Sequence, residues 1–509
     1  MRMSHGLGSN EKEALMNSIS ISLPRPRASV SRAVAAALLV AGVAICASTV
    51  VSAADAPAPT IAAGPLTLTF GGFMALESVY RNHDETADIG SNYNTAIPFP
   101  DSALGHISEF RESARQSRFS MLAQGPHDDN VWRAEGYLET DFLSSGVTSN
   151  SGESNSYTLR MRHFYGVLRN VDSGWYLLGG QSWSLATLST SGVLAPRAEQ
   201  IPLTIDAQYV VGFNWTRNPQ LRLVKLIGDN ASFGVSLESP QASFTTTGAP
   251  STVITGNPGG SGGLLNNGGT SSGTNLVNYS IDFAPDVVAK FAISPGWGHY
   301  EVYGLGRGFR DRYDPTAGSV SGTNNTTWGG GIGVGAILPL TPMLSLQLSG
   351  LAGNGIGRYG SASFSDATIR PDGTVAAIPE AQGLLGLIFK PNDVLTLYVY
   401  GGEEGVRRTD FSYLSAGKTV WAGYGIPTLN NTGCDTYSSS APCTGVSRDV
   451  RQLVVGEWWK AYQGSIGNFQ IGVQYSYTDR QLFSGVDGVG PSALINMGFV
   501  SFRYYPYQR

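Results

Sequence analysis

From Phe469 to Arg480 the chain alternates, with Asp479 the one departure. Phe469, Ile471, Val473, Tyr475 and Tyr477 hold the odd positions, and Gln470, Gly472, Gln474, Ser476, Thr478 and Arg480 the even ones. Successive strand side chains point to opposite faces, so such a segment has one apolar side and one polar side. About sixteen segments carry strand character: 66–80, 113–124, 131–142, 158–169, 174–182, 216–226, 231–238, 286–293, 299–310, 328–338, 343–352, 380–390, 394–402, 449–460, 467–480 and 492–505. The fold class this predicts is all-β. It is a transmembrane antiparallel up-and-down barrel of about 16 strands, with 18 as the alternative count. Its apolar face meets lipid and its polar face lines a water-filled lumen.

The connections carry the same message. Gly125 to Asn130, Asn170 to Ser173, Gly228 to Asn230, Ser294 to Gly298, Pro339 to Pro342, Pro391 to Asp393 and Ala461 to Ile466 are short. Most of the others are long and rich in Gly, Ser, Thr and Asn, such as 239–285, 353–379 and 403–448. Short turns at one rim and long loops at the other are the outer-membrane arrangement, with both termini periplasmic. Composition agrees. Charged residues are 14% of the chain, against roughly 25% in soluble domains. A mean hydropathy of -0.06 argues against a helical membrane protein but not a barrel, whose strands alternate every lipid-facing residue with a lumen-facing one.

The N-terminus reads as an export signal. Arg25, Arg27 and Arg32 precede an apolar run from Ala33 to Ala47, and Val51-Ser52-Ala53 supplies a small-residue cleavage pattern. The expected organisation is a signal peptide over 1–53, with Met16 as an alternative start, a short periplasmic linker over 54–65, and the barrel over 66–509. The signal holds five of the 33 Lys/Arg and two of the 38 Asp/Glu, leaving 28 against 36 and a net charge of −8. That balance argues against nucleic-acid binding, which leaves a basic footprint. Of the 3 cysteines, Cys434 and Cys443 remain, close together in a polar loop. In an oxidising compartment this pair is expected to form a disulfide rather than a metal site.

Two features point to the lumen. The connection from Ser182 to Trp215 holds Trp183, Leu185, Leu188, Val193, Leu194, Ile201, Leu203, Ile205, Tyr209, Val210 and Val211. Residues of that kind have no reason to sit in outside water, so this third extracellular loop is expected to fold inward and narrow the pore. Around it cluster Arg115, Arg118, Arg160, Arg162, Arg197, Arg217 and Arg222. A Lys or Arg facing mid-bilayer lipid costs ~2–4 kcal/mol, so these charges belong in the lumen. Fixed positive charge at a constriction favours anions in transit, and the planar guanidinium suits carboxylate or phosphate. Lumen acids such as Glu135, Glu139 and Asp141 would offset that preference by pairing.

Catalytic readings find little support. Gly259-Gly260-Ser261-Gly262-Gly263 matches a nucleophile elbow literally, but without the strand and helix that motif needs. His83, His106, His127, His163 and His299 show no metal-ligand spacing. No enzyme, cofactor or metal is therefore expected. Asp/Asn-rich loops such as 84–101 are read as solvated, with Ca²⁺ or lipopolysaccharide-bridging cations as the alternative.

Three motifs carry a family resemblance: Arg115-Gln116-Ser117-Arg118, Gly180-Gln181-Ser182-Trp183-Ser184 and Arg217-Asn218-Pro219-Gln220-Leu221-Arg222. Together they resemble the DcaP-like porins of proteobacteria. The resemblance implies a homotrimer of sixteen-stranded barrels, each with its own pore, admitting small anionic solutes such as dicarboxylates. It also implies that the arginines of the second and sixth strands face the channel. Some members carry an N-terminal coiled coil, and residues 54–65 are too short and Pro-rich for one. The alternatives are a channel specific for small carboxylates and a non-conducting surface or adhesin barrel.

Overall fold

Sixteen antiparallel strands pair in chain order, and the last pairs with the first. They are β1 (Leu66–Arg81), β2 (Glu109–Ser113 and Arg118–Gln124), β3 (Trp132–Asp141), β4 (Arg160–Asn170), β5 (Trp175–Trp183), β6 (Arg217–Ile227), β7 (Ala231–Glu238) and β8 (Asp286–Ile293). The ring continues through β9 (His299–Tyr313), β10 (Thr323–Pro339), β11 (Leu344–Asn354), β12 (Pro379–Phe389), β13 (Leu395–Val406), β14 (Ser447–Gly464), β15 (Gly467–Leu482) and β16 (Ser492–Tyr505). Each predicted segment corresponds to one of these strands, and the count is sixteen rather than eighteen. β1 closes the ring, with Met74↔Tyr504 on one edge and Thr67↔Gln124 on the other.

The computed structural model describes residues 59–126, 131–144, 158–190, 196–256, 279–315, 322–438 and 440–508. The signal segment 1–53, His127, Val193, Leu194 and the Gly259 to Gly263 match lie outside the described residues.

The dyad pattern sorts the two faces. On β6, Leu221 and Leu223 are 50% and 47% exposed, while Gln220, Arg222 and Val224 point inward and are buried. On β15, Gln474, Ser476, Thr478 and Arg480 are buried inside. Aromatics gather at both edges of the apolar belt: Trp132, Trp175 and Trp297 at the turn rim, Tyr80, Phe110 and Trp328 at the loop rim. That is where amphipathic rings favour a lipid–water boundary.

Several strands run further than their apolar alternation. β9 continues to Tyr313 and β10 begins at Thr323, paired through polar contacts such as Arg312↔Asn324. Backbone pairing persists there after lipid contact has ended, so the side-chain pattern no longer marks it. Thr60–Ala63, in the expected linker, is a short strand folded back on β1 from Thr60↔Thr69 to Ala63↔Leu66. The loop over 407–446 carries a hairpin, Thr409–Ser415 with Lys418–Tyr424, and joins Cys434 to Cys443.

The lipid-facing assignment is testable at Leu223. Leu223→Arg is expected to destabilise the folded barrel by ~2–4 kcal/mol in lipid. Urea titration of refolding into vesicles, read by heat-modifiable gel mobility, measures it.

Candidate pore constriction

The loop from Ser184 to Thr216 leaves β5, crosses the barrel and returns to β6. Its Leu185, Ile205, Val210, Val211 and Phe213 are buried. Crossing a lumen removes backbone groups from bulk water, so each needs a protein partner. Inward side chains of the far wall supply them. Tyr400 Oη on β13 accepts from Leu203 N (3.2 Å), and Gln474 Oε1 on β15 accepts from Ile205 N (2.6 Å). Gln452 Oε1 on β14 accepts from Val211 N (3.0 Å), and Glu404 Oε1 on β13 accepts from Gly212 N (2.7 Å). Trp458 Nε1 donates to Leu203 O (2.7 Å), and Gln116 Nε2 donates to Ile205 O (2.7 Å). Gly212 has φ 87°, and a Cβ there would stand 2.1 Å from Gly383 O, so only glycine lets the loop pass this close to β12.

Two further loops fold in beside it. Ser361 Oγ donates to Val210 O (2.6 Å), Gln208 Nε2 donates to Ser361 O (2.6 Å), and Asn214 forms a bridge with Gly360. From the loop over 82–108, Tyr93 Oη donates to Tyr209 O (3.1 Å), and Ser91 N donates to Asp206 Oδ1 (3.1 Å). Glu404 ties two of the loops to the wall, because it also accepts from Ser361 Oγ (3.0 Å) and Ala362 N (3.1 Å). Ile89, Tyr93 and Ile97 in one loop, with Ile356, Tyr359 and Phe364 in the other, are all buried. These apolar residues are the sequence signal for inward packing, but scattered among Gly, Ser and Asp they follow no period.

The arginines divide by position. Arg160 makes a bidentate pair with Asp141 (2.9 and 2.7 Å). Arg162 donates to Glu139 (2.5 Å), Asp141 (3.0 Å) and Tyr209 Oη (3.1 Å). Its placement depends on a β-bulge: Glu139 pairs with His163 and Thr140 with Met161, leaving Arg162 as the extra residue. A bulge resets the alternation, so Arg162 and His163 both point inward while Phe164 faces lipid. Gln181 spans the bulge, donating to Met161 O (2.8 Å). Arg118 stacks on Phe73 (5.3 Å) and lies 3.9 Å from Glu139, and Arg217 stacks on Trp183 (4.5 Å).

The remaining three support the loops. Arg197 pairs with Glu135 (3.2 Å) above the Tyr137 ring. Arg222 donates Nε to Gln220 Oε1 (2.9 Å) and Nη2 to Trp183 O (2.5 Å), fixing the loop's departure from the wall. Arg115 stands apart, in the turn that interrupts β2, and donates to Phe142 O (2.9 Å), Ser144 O (2.6 Å) and Asp88 Oδ2 (2.5 Å). Below the loop, Arg118, Tyr209, Leu203, Trp458 and Arg503 help line a cavity of about 320 Å³. Among the described residues, no group of three or more His, Cys, Asp or Glu is placed to hold a metal.

The fold is that of an outer-membrane channel. The crystal structure of the outer membrane channel DcaP of Acinetobacter baumannii matches with TM-score 0.56 at 17% identity, over 88% of this chain and 99% of that one. Pseudomonas putida OprB gives TM-score 0.46 at 11% identity over 86% and 94%, and the anion-selective porin from Comamonas acidovorans 0.44 at 12% over 86% and 99%. No protein-family model and no curated protein matches the chain. A closed barrel with an apolar skin and this fold places the chain in the outer membrane of a Gram-negative bacterium.

Glu404→Ala removes the acceptor of hydrogen bonds to both crossing loops, each worth about 1 kcal/mol. Single-channel recordings are expected to show higher and noisier conductance, with barrel assembly on gels unchanged.

Proposed function

We propose that the chain is a porin: an outer-membrane channel through which small hydrophilic solutes diffuse passively, with a preference for anions. Export by the 1–53 segment precedes assembly. The observation that carries the anion preference is the charge count at the constriction. Arg118, Arg160, Arg162 and Arg217 converge there against the carboxylates of Glu139 and Asp141. The excess positive charge stabilises an anion in the narrow part of the lumen.

A narrower reading, a channel favouring small carboxylates, has support from two guanidinium atoms. Arg118 Nε and Arg217 Nη1 are shielded from solvent and have no hydrogen-bond acceptor among the described residues. Buried donors are normally satisfied, and a planar guanidinium matches a carboxylate.

Homotrimer assembly draws support from the outer wall of β2 to β5. Ala123, Gly136, Gly166 and Gly179 lie side by side across four strands, through Ala123↔Gly136, Gly136↔Gly166 and Gly166↔Gly179. All four face outward, and small residues let a neighbouring wall approach closely. Lipopolysaccharide is the expected lipid partner, with Arg448 and Arg451 side chains 45% and 52% exposed at the loop rim.

Reversal potentials across a planar bilayer under a salt gradient test the anion preference. Arg118→Gln is expected to lower the anion-to-cation permeability ratio about 2- to 3-fold, the effect of one charge about 7 Å away through water. Cation preference of the unmodified channel in mildly acidic solution would overturn the reading.

A further inference from the structure

We infer that the Tyr209 hydroxyl is a specificity-determining group of the channel, setting the charge of the constriction by exchanging its proton with solvent. The inference rests on the anion-preferring reading and adds a residue and a direction to it. Tyr209 belongs to the crossing loop, not to the wall, and its side chain faces the cavity below that loop.

Its backbone is held in an unusual state. Tyr209 has φ 70°, a left-handed conformation that a bulky residue rarely adopts and that costs roughly 1–3 kcal/mol. The turn that imposes it is bonded from several sides: Tyr209 N donates to Asp206 O (2.9 Å), Gln208 N to Asp206 Oδ1 (2.8 Å), and Tyr93 Oη to Tyr209 O (3.1 Å). This geometry delivers the phenol to the guanidiniums. Arg162 Nη2 donates to Tyr209 Oη at 3.1 Å. The ring packs against Trp183 (5.9 Å), which also carries Arg217 on its face (4.5 Å). Arg118 lines the same cavity.

Charged and titratable groups approach Tyr209 from each neighbouring element. Arg118 comes from β2, Arg160, Arg162 and His163 from β4, and Arg217 from β6, while Glu139 and Asp141 of β3 stand behind Arg162. Arg503 and Lys390 line the cavity further toward the turn rim, and Arg503 is paired with Glu77. From the loops come Tyr93 and Asp206. Burial holds the Asp206 carboxyl above its usual range against hydrogen bonds from Ser91 and Gln208.

Two buried tyrosines only a few ångströms apart are driven in opposite directions. Burial and the neighbouring Asp206 carboxylate push Tyr93 well above the ordinary phenol range. Burial pushes Tyr209 up as well, but Arg162, Arg118 and Arg217 outweigh it and bring the phenol down to about 7. Below that pH the hydroxyl is neutral and the arginine excess is expressed. Above it the O–H bond gives its proton to water, and the phenolate left behind pairs with Arg162, cancelling one positive charge. Anion preference is therefore greatest in acid and falls as pH rises through neutrality.

The test uses the full barrel in planar bilayers, with reversal potentials in a potassium chloride gradient from about pH 5 to about pH 9. The chloride-to-potassium permeability ratio of the unmodified channel is expected to fall about 3-fold over this range. Tyr209→Phe should hold the acid value throughout. A step in Tyr209→Phe equal to that of the unmodified channel would assign the change to another group and overturn the inference. A second readout does not depend on conduction or on the variant folding. Ultraviolet titration of the unmodified protein should show one tyrosinate forming near neutrality, separated from the ordinary phenols. Absence of that tyrosinate below about pH 9 would overturn the inference even if the channel prefers anions. Its presence in a channel that prefers cations at about pH 5 would instead overturn the anion reading and leave the titration standing.

Discussion

In hydrocarbon every backbone N–H and C=O must find its partner within the protein, because water is not there to supply one. For strands that demand has one general solution, a sheet that closes on itself and keeps no edge. The pairing of β1 with both β2 and β16 meets it here. Closure at sixteen strands then creates a second problem, since a ring this wide leaves an aqueous channel rather than a packed core. The loops answer that problem, and they do so under the same rule. Each stretch of backbone that enters the lumen carries donors and acceptors of its own, and Tyr400, Glu404, Gln452 and Gln474 on the far wall receive them.

The polar lining therefore has two occupations. Some inward side chains anchor loop backbone, and others gather charge beside the crossing loop. Arg222 and Arg115 belong to the first group, bonded mainly to carbonyl oxygens where loops leave the wall. Arg118, Arg160, Arg162 and Arg217 belong to the second. Pairing of Arg160 and Arg162 with Glu139 and Asp141 offsets part of the repulsion among these charges. Tyr209 links the two occupations, since its backbone is part of the anchored loop and its hydroxyl touches the charged cluster.

Much of the wall was legible because the strand period is two and lipid penalises the wrong face. Leu221 and Leu223 against Gln220 and Arg222 leave one orientation only. The third loop was legible for a related reason, since Leu185, Ile205 and Val210 are too apolar for outside water. The bulge at Arg162 was not. Arg160, Met161, Arg162, His163, Phe164 and Tyr165 read acceptably in either of two alternations, and only pairing with β3 decides where the reset falls. The loops over 82–108 and 355–378 were missed because their buried residues follow no period. Irregular backbone packs wherever a neighbouring surface happens to receive it.

From the sequence alone came the closed barrel, its strand order and its two faces. Those properties follow from local alternation, connection length and the cost of charge in lipid, all of which act residue by residue. Tertiary structure alone decided which arginines meet which carboxylates, which loops share Glu404, and where Tyr209 lies. Each of these joins residues remote in the chain, and such contacts depend on strand register and loop path, which side-chain alternation does not encode.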